Sequence, residues 1–134
     1  MLKVFAAAAA LAACATTFDY VPINWQQFDN PVAKRIDLSF RNDGRRAICF
    51  TASYWPDAYG KLDSMGGRVF LKVADERFSI EDFNTGYCPK GCGRRVAPGE
   101  TITGFLAYGD FALPERLVFE PKVLEFSPQG VECR

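Results

Sequence analysis

Arg35-Ile36-Asp37-Leu38-Ser39-Phe40-Arg41 alternates polar and apolar side chains without a break. Successive side chains of an extended chain point to opposite faces. This period of two therefore predicts a half-buried strand with Ile36, Leu38 and Phe40 toward the core. Asn42-Asp43-Gly44 follows, and these residue types tolerate the positive φ of a tight hairpin turn. A return strand is expected over 45–54, with Ile48, Phe50 and Ala52 on one face and Cys49 and Thr51 on the other. Its own pattern leaves open which face is the core.

Similar signals recur downstream. Val69, Leu71 and Val73 share one face of a strand over 68–74, Asp75-Glu76 reverses the chain, and Phe78 and Ile80 point inward from 77–82. Loops are expected over 55–67 and 83–95, punctuated by Pro56, Gly60, Gly66 and Gly67. Ala97-Pro98-Gly99-Glu100 forms a turn into a strand over 101–108, and one or two further strands, bent near Pro121, occupy 115–126. Twelve Phe, five Tyr and two Trp suit half-buried strands. Some seven short strands at this spacing predict an all-β fold, an antiparallel two-sheet sandwich, with a small β-barrel as the alternative. Val96-Ala97-Pro98-Gly99-Glu100, the strand after it and Leu117-Val118-Phe119 resemble the ending of immunoglobulin-like bacterial extracytoplasmic domains. That resemblance implies an immunoglobulin-like sandwich and says nothing about a ligand.

The N-terminus carries a different kind of signal. Lys3 precedes the apolar run Val4 to Leu11, which is far shorter than the roughly 20 residues that span a bilayer as a helix. It reads as a cleavable export signal. Leu11-Ala12-Ala13-Cys14 resembles the lipobox of bacterial lipoproteins, which implies cleavage before Cys14 and lipidation of its thiol and amine. By the same resemblance, Ala15 in place of an aspartate implies the outer membrane, with the domain facing the periplasm. Each buried methylene contributes about 0.8 kcal/mol, so three acyl chains anchor firmly. The expected organisation is a signal peptide at 1–13, a lipidated tether with a candidate first strand at 14–33, and a β-sandwich domain at 34–134. Phe18, Tyr20, Trp25 and Phe28 make that tether aromatic, for packing on the domain's edge or for docking a partner beside the membrane.

Charge and composition exclude several functions. The chain has 16 basic and 16 acidic residues, and Lys3 is the only charge in the signal, so the mature chain stands at −1. That balance gives no electrostatic case for nucleic acid. Histidine is absent, which removes the commonest general base, the Ser-His and Cys-His nucleophile pairs and imidazole metal sites. Glu81 and Asp82 are strand neighbours on opposite faces and cannot flank one bond, while Asp75-Glu76 fits a solvated turn. No phosphate-binding glycine loop or nucleophile-elbow motif occurs. The expectation is a non-enzyme with no cofactor and no metal.

Four cysteines remain besides Cys14: Cys49, Cys88, Cys92 and Cys133. An even count in an exported domain implies two disulfides, and three pairings are open. Pro89 and Gly91 let the chain turn between Cys88 and Cys92, which favours that short bridge and leaves Cys49 with Cys133. A four-cysteine zinc site would need a second close pair, which these positions do not supply.

Two surface candidates stand out. Tyr54, Trp55 and Tyr59 could anchor a protein or sugar, or Trp55 could cap one end of the core. Lys90, Arg94 and Arg95 make the densest basic spot, a candidate site for a lipid headgroup or a polysaccharide acid, or else a solvated loop. The whole reads as a lipid-anchored binding or envelope-accessory module with a protein or envelope-polymer partner. The alternative is a lipid-anchored inhibitor of a secreted hydrolase such as lysozyme, inserting 54–63 or 88–95 into a cleft.

Overall fold

The computed structural model describes residues 20–51, 54–56, 59–60, 62, 69–80 and 93–133. Within them the strands are β1 (Tyr20–Pro22), β2 (Trp25–Asn30), β3 (Arg35–Arg41), β4 (Ile48–Thr51) and β5 (Phe70–Val73). They continue as β6 (Glu76–Ser79), β7 (Gly93–Val96), β8 (Thr101–Ala107), β9 (Lys122–Glu125) and β10 (Gln129–Glu132). Every pairing is antiparallel, in three sheets ordered β1-β10-β4-β7, β2-β3-β8 and β6-β5-β9. The fold is all-β and sandwich-like, and the sheets do not close into a barrel.

One core joins the three sheets. β3 buries Ile36, Leu38 and Phe40, as its alternation predicts, and β8 adds Ile102 and Leu106 from the same face. β5 adds Leu71 and Val73. Ile48 and Phe50 of β4 and Val96 of β7 close the core from the first sheet, which fixes the inward face of β4. Phe40, Phe50 and Trp55 meet pairwise at ring-centroid distances of 5.5 to 6.3 Å, a tilted and edge-on arrangement favoured by the ring quadrupoles.

The expected hairpin between β3 and its return strand does not form. Both hydrogen-bonding edges of β3 are taken, one by β2 and one by β8, and β4 lies in a different sheet. Neither Asn42, Asp43 nor Gly44 adopts positive φ. Asn42 instead turns its side chain into the protein, where Nδ2 donates to the carbonyls of Arg46 (2.8 Å) and Val96 (3.0 Å). Its Oδ1 accepts from the Gly44 N–H at 3.0 Å. The Asn42 N–H donates to Glu100 O at 2.9 Å, and its carbonyl accepts from the Gly99 N–H at 2.7 Å. One buried amide thus satisfies three backbone groups while the chain crosses between sheets.

Other differences have local causes. β7 lies where a loop was expected, and its Gly-Arg-Arg-Val sequence offers a single buried side chain, Val96. β10 lies in the expected tail and pairs with both β1 and β4. A Cβ at Gly130 would collide with Ile48, so the packing requires the glycine that erases any alternation. Before Pro121 the chain makes a 3-10 turn, Glu115–Leu117, rather than a strand. Two strands, β1 and β2, precede Lys34, where a tether and a candidate first strand were expected.

Cys49 and Cys133 form a disulfide with Cα atoms 5.2 Å apart, as favoured from sequence. Closing a loop of this length contributes about 4–5 kcal/mol on chain-entropy arithmetic. Cys88 and Cys92 lie outside the described residues. Asn42→Ala strands a buried carbonyl, a part-buried carbonyl and an N–H. It is expected to lower stability by about 2–4 kcal/mol, read as the shift in denaturant midpoint at constant slope.

Candidate functional site

The outer face of the β2-β3-β8 sheet is built from the residues that alternate with the core. Register places Phe28, Asp37 and Phe105 side by side in one row across the three strands. The next row is Gln26, Ser39 and Thr103. Directly opposed residues share a face, so an aromatic–acid–aromatic row lies beside a row of amide and hydroxyls. Together with Arg35 and Arg94 these residues line an open concavity of about 720 Å³.

Its charges are held in place by one another. Asp37 accepts a hydrogen bond from Asn30 Nδ2 at 3.0 Å, and its other oxygen lies 2.7 Å from Arg35 Nε. That second contact is charge against charge, because the buried Nε–H has no aligned acceptor. The Arg35 guanidinium sits over the Phe105 ring, 4.7 Å from its centroid, a cation–π contact. Gly60 packs against the same ring so closely that a Cβ there would collide with it. Phe105 therefore serves as a backing for Arg35. Phe28 is different: it is 67% exposed and offers its ring to solvent.

Arg94 enters the concavity from the neighbouring sheet. It lies on β7, an outer strand of its sheet, opposite Phe50 of β4, and no described residue gives its side chain an ion pair or hydrogen bond. Arg95 pairs with Cys49 and belongs to the opposite face of β7. The basic cluster read from sequence is thus divided: Arg94 lines the groove and Arg95 faces away. Lys90 lies outside the described residues, as does Cys14.

The aromatic loop is also divided. Trp55 is 4% exposed, packs on Phe40 and Phe50, and donates from Nε1 to the Thr103 carbonyl at 3.4 Å. A Cβ at Gly104 would lie 2.8 Å from Pro56 Cγ and 3.2 Å from Trp55 Nε1, so the glycine in β8 makes room for this loop. Trp55 caps the core and is not an exposed anchor. Tyr54 is half-buried, edge-on to Tyr20 with ring centroids 6.5 Å apart, whereas Tyr59 is 83% exposed.

A second polar cluster lies beneath the groove. Tyr108 Oη donates to Asp29 Oδ1, and Lys122 Nζ lies 3.5 Å from Asp29 Oδ2. The same ammonium donates to the carbonyls of Val118 and Glu120 and sits 4.6 Å from the Tyr108 ring centroid. With each polar group engaged, this cluster joins β2, the turn after β8 and β9. Among the described residues no three His, Cys, Asp or Glu converge to hold a metal.

Arg35, Asp37 and Phe105 were not among the expected site residues, and Phe28 was expected in a tether. The available signal was two phenylalanines on strand faces that otherwise carry polar residues. No family model, curated protein or solved structure matches this chain.

Burial, then the Asp29 carboxylate, raises the Tyr108 pKa well above its ordinary value. A folded state that holds this proton more tightly keeps its full stability below the unfolded tyrosine value, about pH 10, and loses it as pH rises further. Tyr108→Phe is expected to lower stability at pH 7 by about 1–3 kcal/mol and to flatten the alkaline decline. Denaturant midpoints between pH 7 and 11 check both.

Proposed function

We propose that this chain is a non-catalytic binding module of the bacterial envelope, with the groove on the outer face of β2-β3-β8 as its binding surface. Lipidation at Cys14 holds it to the outer membrane with the domain in the periplasm, and the sandwich is immunoglobulin-like. The observation that carries the binding reading is Phe28, a large aromatic exposed on a sheet face beside two guanidinium groups in a concavity. Exposed aromatic and arginine side chains are the favoured anchors of binding surfaces. The long-range Cys49–Cys133 disulfide supports an oxidising compartment, and the lipobox-like Leu11-Ala12-Ala13-Cys14 supports the anchor. The absence of histidine from the whole chain supports a non-enzymatic role.

Tyr59 favours a second reading. It is 83% exposed while Trp55, Pro56, Gly60 and Leu62, close to it in the chain, are buried, and an exposed tyrosine is a favoured anchor for a hydrolase cleft. Loss of muralytic-enzyme inhibition on Tyr59→Ala would mark that reading.

The test begins from Cys14→Ser, which is expected to move the protein from the membrane to the soluble periplasmic fraction. This lipid-free form should bind isolated envelope fragments. Adding Phe28→Ala should weaken that binding about tenfold or more, with the denaturation midpoint unchanged. Equal retention of the two variants contradicts the groove. A Cys14→Ser protein that stays with the membrane contradicts the anchor.

A further inference from the structure

The groove lies across the face of a sheet and not along a free edge. In the sheet's interior the backbone groups of β2, β3 and β8 are committed to one another, so recognition there falls to side chains. Those side chains form a specific set. Gln26, Ser39 and Thr103 supply an amide and two hydroxyls in one row, able both to donate and to accept. Phe28, in the adjoining row, supplies an apolar ring. A pyranose presents the complementary pattern, hydroxyls around its edge and C–H groups on its face.

The charge adds a second requirement. Asp37 is already engaged by Asn30 and Arg35, whereas Arg94 has no partner among the described residues. The groove's charged side chains, Arg35 and Arg94 against Asp37, leave one positive charge. A planar guanidinium fork matches a carboxylate, which it can hold through two parallel hydrogen bonds. The Arg35 guanidinium, stacked on Phe105 and pinned by Asp37, is set in place before any ligand arrives.

We propose that the groove binds an acidic polysaccharide of the uronic-acid type, with a sugar ring on Phe28, hydroxyls on the Gln26-Ser39-Thr103 row and a carboxylate on Arg94. This assignment rests on the binding-module reading above and names its ligand. The occupant is the polymer itself; an acidic protein segment is an outcome that the test separates from it.

The experiment titrates the full-length protein in detergent micelles with oligogalacturonate, with the same oligomer after reduction of its carboxyl groups, and with polyglutamate. Oligogalacturonate should bind, and the other two about tenfold or more weakly, because one lacks the carboxylates and the other the sugar faces. Phe28→Ala and Arg94→Gln should each weaken oligogalacturonate binding by a similar factor. Arg94→Lys should restore only part of it, since it keeps the charge and loses the fork. Equal binding of polyglutamate, insensitivity to Phe28→Ala, or no binding of oligogalacturonate overturns the assignment. If oligogalacturonate fails while envelope fragments still depend on Phe28, the ligand class is wrong and the binding module stands. If both fail, the binding-module reading falls too.

Discussion

A β-strand has two faces, and β3 uses both. Ile36, Leu38 and Phe40 carry the centre of the core from one face, while Arg35, Asp37 and Ser39 carry the centre of the groove from the other. A slip of one residue would put Asp37 into the core and Leu38 into water, so burial of the inner face fixes the register of the outer one. The spacing of Phe28, Asp37 and Phe105 is thereby set by the packing of their neighbours. The proposed binding surface, held in this way, would need no loop to order on binding, which lowers the conformational cost of association.

Polar side chains complete what the sheets leave open. β2 borders the third sheet without forming a ladder to it, and Gln27 bridges the gap. Its amide accepts from the Leu124 N–H at 2.7 Å and donates to the Leu124 carbonyl at 3.2 Å, so a side chain does the work of a strand's backbone. Asn42 performs the comparable task at the crossing from β3 to β4. Asp29, Tyr108 and Lys122 fasten the far end of β2 to the turn after β8 and to β9. In each case a polar group that would be costly to leave unpaired joins segments distant in sequence.

This explains what could be read from the chain and what could not. The faces of β3 and β5 were legible because alternation is a local property, and Cys49–Cys133 followed from the turn residues between the other two cysteines. The pairing of β5 with β6 was legible too, from the expected reversal between them, but the partners of the other strands were not. Asn42-Asp43-Gly44 carries the composition of a hairpin turn, yet both edges of β3 belong to strands far along or behind in the chain. β10 hid because its one packing requirement, Gly130 against Ile48, is met by the absence of a side chain. The groove needed the register of three strands at once, so its rows appear in no single stretch of sequence. Arg94 and Arg95, adjacent in the chain and grouped as one basic spot, part company because neighbours on a strand face opposite ways.

The outer face of β3 and its neighbours is proposed as a binding surface. The most direct test is an amide chemical-shift map of the isotope-labelled protein, recorded with and without oligogalacturonate. Binding in the groove should cluster the shifts on β2, β3 and β8 around Phe28, Asp37, Ser39 and Phe105, with Arg94 responding from β7. Shifts confined to the loop around Tyr59, or scattered over the surface charges without a focus on Phe28, would contradict it.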